Sequence, residues 1–135
     1  MVVLGRLVAA VTAVELQYPG MRGEIIDALK SLSDRNLQER YWLYKDFPTT
    51  SYYEDLTTNI NLLYDTQVLP EPEKSVGITL KSIEEARALR ALGEALSSLI
   101  DELGDAPDST YVGSDSWQQI VSLAADALTV LGVHQ

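Results

Sequence analysis

The only abundant groups in this chain that could do chemistry are carboxylates, and their densest run is Asp101, Glu102, Asp105 and Asp108 in DELGDAPD. Carboxylates at this density suit a hard cation, but the spacing matches no recognised cation loop, so no metal site is expected. Two adjacent pairs, Glu54-Asp55 and Glu84-Glu85, would divide acid and base duties only in a cleft that splits their pKa values. At the starts of helices they read better as first-turn acids facing the positive end of the dipole. Cys is absent and the single His, His134, lies near the C-terminus. Thiolate nucleophiles, Cys-based zinc sites and most histidine catalysis are thereby removed. There is no phosphate-binding glycine loop, nucleophile elbow, H-E-x-x-H helix or EF-hand spacing. The expectation is therefore no catalytic residue, no metal and no cofactor.

Residues suited to binding are easier to find. Tyr41, Trp42, Tyr44, Phe47, Tyr52, Tyr53 and Tyr64 are seven of the ten aromatic residues and fall within 24 positions. Helical spacing puts Leu37, Tyr41 and Tyr44 on an inner stripe and Trp42 on a neighbouring face with Gln38 and Lys45. Of Tyr52 and Tyr53, only one is able to point fully inward. That leaves large aromatics exposed beside Glu54 and Asp55, a composition that suits a protein interface. Asp101 and Glu102 add a second pointer, because at the C-terminal end of a helix the dipole disfavours anions. Contact with a cationic partner would account for them. The expected partner-binding set is Trp42, Tyr52, Tyr53, Glu54, Asp55, Asp101, Glu102, Asp105 and Asp108.

Helices must position these groups. Tyr18-Pro19-Gly20 punctuates the chain; RGEIIDALKSLSD then places Ile25, Ile26, Leu29 and Leu32 on one face, with Glu24 and Asp27 in the first turns. A helix through NLQERYWLYKD ends at Phe47-Pro48, since the residue before Pro is pushed out of the α region. Ser51 and Glu54 are spaced as a capping box ahead of Leu56, Ile60 and Leu63. VLPEPEKSVGITL reads as a loop, with Val76–Leu80 open to a short extended segment. Ser82 and Glu85 form a second capping pair before a long helix whose stripe is Leu89, Leu92, Leu96, Leu99 and Leu103, with Ala88, Ala91 and Ala95 beside it and Gly104 as the stop. Asp115 and Gln118 resemble a third pair, ahead of Trp117, Val121, Ala124, Leu128 and Leu131. The fold class is all-α, a compact single-domain bundle of five or six helices spanning 1–135. That length is enough to build a core without disulfides.

Charge is unevenly placed. Residues 1–50 carry six cations and six acids, so the net −10 resides in residues 51–135, and no Lys or Arg follows Arg90. Nucleic acid and anionic lipid are poor partners for such a chain. The apolar stretch Leu7–Val14 is too short to span a bilayer and lacks a clear cleavage site, so a cytoplasmic location is expected. Val2–Leu16 reads as an N-terminal helix that packs on the core or joins a second copy.

The segments YPGMRGEIIDALKSLSD, SYYEDL, LYDTQVLPEPEKSVG, ALRALGEAL and LGDAPDSTY resemble those of a family of small acidic, largely uncharacterised actinobacterial proteins. The resemblance runs from Tyr18 to Leu131, leaves the first 17 residues outside, and carries no catalytic motif. Some members are associated with toxin–immunity loci, including contact-dependent growth inhibition. The resemblance and the charge together give the leading expectation: a cytoplasmic immunity protein that neutralises a basic toxin domain through an acidic, tyrosine-rich surface. The alternative is a non-enzymatic regulatory or scaffold protein acting as a homodimer through the N-terminal helix.

Overall fold

The computed structural model describes residues 15–133. Among the described residues six α-helices follow one another: α1 (Pro19–Leu32), α2 (Arg35–Leu37), α3 (Leu56–Asp65), α4 (Ile83–Leu103), α5 (Asp108–Val112) and α6 (Trp117–Val130). α2 runs straight into a π-helical stretch, Gln38–Leu43, and a 3₁₀ turn occupies Pro72–Ser75. The expected all-α bundle is present, and among the described residues no strand forms. The extended segment anticipated at Val76–Leu80 reduces to a single parallel bridge between those two residues. Of the helix expected over Val2–Leu16, Glu15 and Leu16 are not helical; the remainder, like His134, lies outside the described residues.

The bundle is organised around α6, which packs between α1 and α4. Its apolar stripe is the expected one: Trp117, Ala124 and Leu128 are fully buried and Val121 and Leu131 nearly so. On α4, Leu89, Leu92, Leu96 and Leu99 face the core, and burying each is worth roughly 1.5–3 kcal/mol. Gly104 closes α4 at φ 56°, a left-handed position that glycine takes without a Cβ penalty. α1 buries Ile25, Ala28, Leu29 and Leu32 against α6 and α3.

Helix starts depart from expectation more than helix cores do. α1 begins at Pro19, three residues before the expected Arg22, because proline at the first position gives up an N–H that has no helical partner anyway. Glu24 and Asp27 therefore lie beyond the first turn. The box ahead of α3 is not Ser51–Glu54 but Asp55–Thr58: Thr58 N–H donates to Asp55 Oδ1 (2.8 Å) and Asp55 N–H donates to Thr58 Oγ1 (3.0 Å). At α4, Ser82 Oγ accepts from Glu85 N–H (3.2 Å), but the Glu85 carboxylate turns into the protein instead of closing the box. α6 starts after Ser116 with no side-chain cap, so the Asp115–Gln118 pair does not form.

Gly93 marks a tight contact in the middle of α4. A Cβ there would lie 2.7 Å from Cδ2 of the buried Leu69. Gly93→Ala would gain up to about 1 kcal/mol of helix propensity and lose about 1–3 kcal/mol to overpacking. We expect a net loss of about 1 kcal/mol by urea denaturation, whereas Gly20→Ala, with nothing within 4 Å of the added carbon, should show no such loss.

Candidate functional site: a tyrosine-rich surface over a buried carboxylate

The site begins at the π-helical stretch. Bonds from Tyr44 N–H to Glu39 O (3.0 Å) and Asp46 N–H to Arg40 O (2.8 Å) span more residues than an α turn. The inward face is Gln38 and Trp42, with Leu37 and Tyr41 half-buried beside it and Tyr41 packed against the core. Gln38 is fully buried, Trp42 is 2% exposed, and Tyr44, expected inside, is 71% exposed. Lys45 then adopts a left-handed φ of 58°, which ends the helix two residues before the expected stop at Phe47-Pro48.

Beneath this turn sits a buried carboxylate. Glu54 Oε2 accepts from Trp42 Nε1 (2.8 Å) and Asn59 Nδ2 (2.9 Å); Oε1 accepts from Ser31 Oγ (3.3 Å) and from the Tyr52 hydroxyl. Burial pushes the Glu54 carboxyl up, but these four donors outweigh it and hold the group below the usual glutamate value. Burial and the bond to Glu54 raise the Tyr52 phenol far above the usual tyrosine range, so it stays a donor. Gln38 extends the network: Nε2 donates to Ser31 O and Leu32 O (2.9 Å each), and Oε1 accepts from Trp117 Nε1 (2.9 Å). Trp42 and Trp117 meet edge to face with centroids 6.0 Å apart. α1, the π-helix, α3 and α6 are thus tied together through one polar cluster.

Above the carboxylate the aromatic side chains form a surface. Tyr41, Phe47, Tyr52 and Tyr53 pack ring against ring with centroids 5.4–5.9 Å apart. Tyr52 and Tyr53 are 39% and 56% exposed, so neither points fully inward. The extended segment 52–55 alternates sides, pairing Tyr52 with Glu54 and Tyr53 with Asp55. The Tyr53 hydroxyl donates to Asp55 Oδ2 (2.7 Å), and Asp108 of α5 accepts from Leu56 N–H through Oδ2 (3.0 Å). Burial raises the Asp55 carboxyl, but the bonds from Tyr53 and Thr58 and the nearby Lys45 charge leave it lowered.

The structure thus brings together Tyr52, Tyr53, Asp55 and Asp108. Trp42 and Glu54 were expected at an exposed rim; they lie in the interior, where they anchor this surface from below. Asp101 and Asp105 are exposed near the C-terminal end of α4, and Glu102 lines a crevice between α4 and α6 with Glu94, Ala95 and Gln119. Among the described residues no hydrogen bond joins these three acids to the tyrosine loop. Sequence reasoning missed Gln38 and Tyr44 here, and missed the Arg22–Glu85 pair elsewhere. Among the described residues no group of three or more acids or histidines is placed to hold a metal ion, and no helix is long and apolar enough to cross a membrane.

Residues 16–135 match the profile of a family described as a domain of unknown function, DUF7945. The chain belongs to this family. No curated protein and no solved structure gives a significant match. The DUF7945 match starts before the first helix and takes in the whole described bundle, including the tyrosine loop, the buried Glu54 cluster and the cation-free last third.

Proposed function

We propose that this protein is a non-catalytic binding protein that captures a basic protein partner through the Tyr52–Tyr53–Asp55–Asp108 surface. The resemblance to small acidic actinobacterial proteins, some of them associated with toxin–immunity loci, makes neutralisation of a toxin domain, in the cytoplasm, the form of that activity we favour. The observation that carries the reading is the exposed ring cluster. Tyrosines supply large contact area with few torsions to freeze, and here their hydroxyls are already fixed by Glu54 and Asp55, so little ordering remains to oppose binding. The absence of any cation after Arg90 favours a basic partner, because single-sign fields steer encounter and exclude like-charged competitors.

The test is co-expression of the tagged protein with the product of the adjacent gene, followed by pull-down, sizing and growth rescue. A one-to-one complex whose association rate falls as salt rises is expected. A clean homodimer with no heterocomplex would instead support the scaffold reading. Within a complex, Tyr53→Ala should weaken affinity about tenfold, or ~1.4 kcal/mol. Unchanged affinity in that variant would move the interface off this surface.

A further inference from the structure

A depression of about 690 Å³ lies beside the first described residues. Its apolar lining is Tyr18, Met21, Tyr64, Leu69, Pro70 and Ile78, drawn from the start of α1, the end of α3 and the loop that follows. A second depression, of about 210 Å³, shares Tyr64 and Pro70 with the first and continues to Gly93 and Ser97 of α4. Together they make one track along the surface, and Tyr18, Tyr64 and Pro70 stand exposed on it.

The backbone is pinned at one end of this track. Gln17 N–H donates to Gly77 O (3.2 Å) and Tyr18 N–H to Ile78 O (2.9 Å), and the Gln17 and Tyr18 side chains both line the depression. Leu16, just before them, is half-buried. Only Glu15 and Leu16 separate the pinned point from residues 1–14, MVVLGRLVAAVTAV. Eleven of those 14 residues are apolar and Arg6 is their one charge, so the segment gains by leaving water. Val3, Leu7, Val11 and Val14 recur at helical spacing, and the helical rise from Gln17 back to Arg6 covers roughly 16 Å. A segment tethered by two residues meets the track at an effective concentration of the order of mM, an advantage that no untethered occupant shares. Charge agrees as well. Asp65 and Glu71 on the rim are opposite in sign to Arg6, although Glu71 already pairs with Lys74 (3.2 Å).

We propose that this track is the docking site of residues 1–14 of the same chain, whose apolar stripe covers Tyr18, Tyr64 and Pro70 with Arg6 toward Asp65 and Glu71. The segment then has an intramolecular role instead of joining a second copy. The inference is independent of the partner reading, because the track shares no residue with the Tyr52–Tyr53–Asp55–Asp108 surface.

The chain has no Cys, so a single introduced thiol is labelled uniquely. A nitroxide on Gly5→Cys in the full chain should broaden the amide signals of Tyr64, Gln67 and Leu69 and spare those of Tyr53 and Asp55. Mixing nitroxide-labelled protein with an isotope-labelled copy that carries no nitroxide separates the two geometries. In the mixture the broadening should vanish, since the label and the track then belong to different chains. Adding Leu7→Glu with Val11→Glu puts charges on the apolar stripe and should abolish the localised broadening, because an unpaired charge is costly to desolvate. The rest of that variant's amide spectrum should be unchanged, which distinguishes lost docking from lost folding. Broadening that persists in the mixture would assign the track to a second copy and overturn the proposal. Broadening that is absent, spread evenly over the bundle, or unaffected by Leu7→Glu/Val11→Glu would overturn it equally, because the segment would then not be seated in the track.

Discussion

Replacing Arg22 with Met is expected to cost about 3–5 kcal/mol of folding stability, because it strands a buried charge. Arg22 and Glu85 are 8% and 5% exposed. Arg22 Nη1 donates to Glu85 Oε1 (2.8 Å) and Thr79 O (3.0 Å); Nη2 donates to Glu85 Oε2 (3.0 Å) and Leu131 O (3.2 Å). One side chain on α1 thus ties down the start of α4, the loop before it and the end of α6. Without it, Glu85 keeps only the Lys81 N–H (2.7 Å). The double variant Arg22→Met/Glu85→Met leaves no unpaired charge and should be more stable than Arg22→Met by at least about 1 kcal/mol, despite carrying one more substitution.

The pH dependence gives an independent check. Burial raises the Glu85 carboxyl, but Arg22 and the Lys81 N–H more than offset it, so the folded pKa lies below the unfolded one. Its stabilisation is therefore complete above about pH 4.3, the unfolded value, and lost as pH falls through the folded pKa. In Arg22→Met burial is opposed only by the Lys81 N–H and charge, and the folded pKa is expected to move above the unfolded one. The gap between variant and wild type should then narrow as pH falls from 7 toward 4.5. Urea denaturation at both pH values measures this. A penalty below about 1 kcal/mol, constant with pH, would mean that the pair is not desolvated in solution.

The pair also shows where sequence reading runs out. Arg22 and Glu85 are 63 residues apart, and no local pattern links them. A signal was present all the same: Arg22 is three positions before Ile25 and Glu85 four before Leu89, so each charge is in phase with an apolar stripe. A charged residue in that phase either snorkels out or finds a partner inside. By contrast, the stripes of α4 and α6 were legible because burial there follows an uninterrupted 3.6-residue period over several turns. Caps were less so. Ser51-x-x-Glu54 and Asp55-x-x-Thr58 are nearly equivalent as local signals, and the choice was made by tertiary demand, since Glu54 is needed where Trp42 and Asn59 converge.

The candidate site failed in a different way. Nothing in NLQERYWLYKD announces an i→i+5 turn, and nothing local chooses between the Leu37–Tyr41–Tyr44 face and the Gln38–Trp42 face for the interior. Tyr52, Tyr53, Asp55 and Asp108 were identifiable as exposed aromatics and acids, but their assembly depends on α5 approaching the start of α3. Alternation along residues 52–55 explains both placements. Tyr53 and Asp55 share the outer side, while Glu54 follows Tyr52 toward Trp42.

That buried position supports the second large effect. Glu54→Met is expected to cost about 3 kcal/mol or more, since the Trp42 indole N–H loses its acceptor inside the protein and each orphaned donor costs about 1–3 kcal/mol. Glu54→Gln should cost less, about 1–2 kcal/mol. Its amide oxygen is able to face the fixed donors Trp42 and Asn59, while Tyr52 and Ser31, being hydroxyls, rotate to accept from its NH₂. Because the Glu54 carboxyl is held below its unfolded value, the wild type loses this contribution as pH falls below about 4.3, and the glutamine variant should lose less stability over the same range. Chemical denaturation at pH 7 and pH 3.5 gives both numbers. Equal losses for Met and Gln at pH 7 would mean that the side chain matters only for the space it fills. If the ordering holds, the four-donor carboxylate is the fixed point from which Tyr52, and through it the exposed ring cluster, is hung. Glu54→Met should then weaken capture of the proposed partner although Glu54 itself is buried out of its reach.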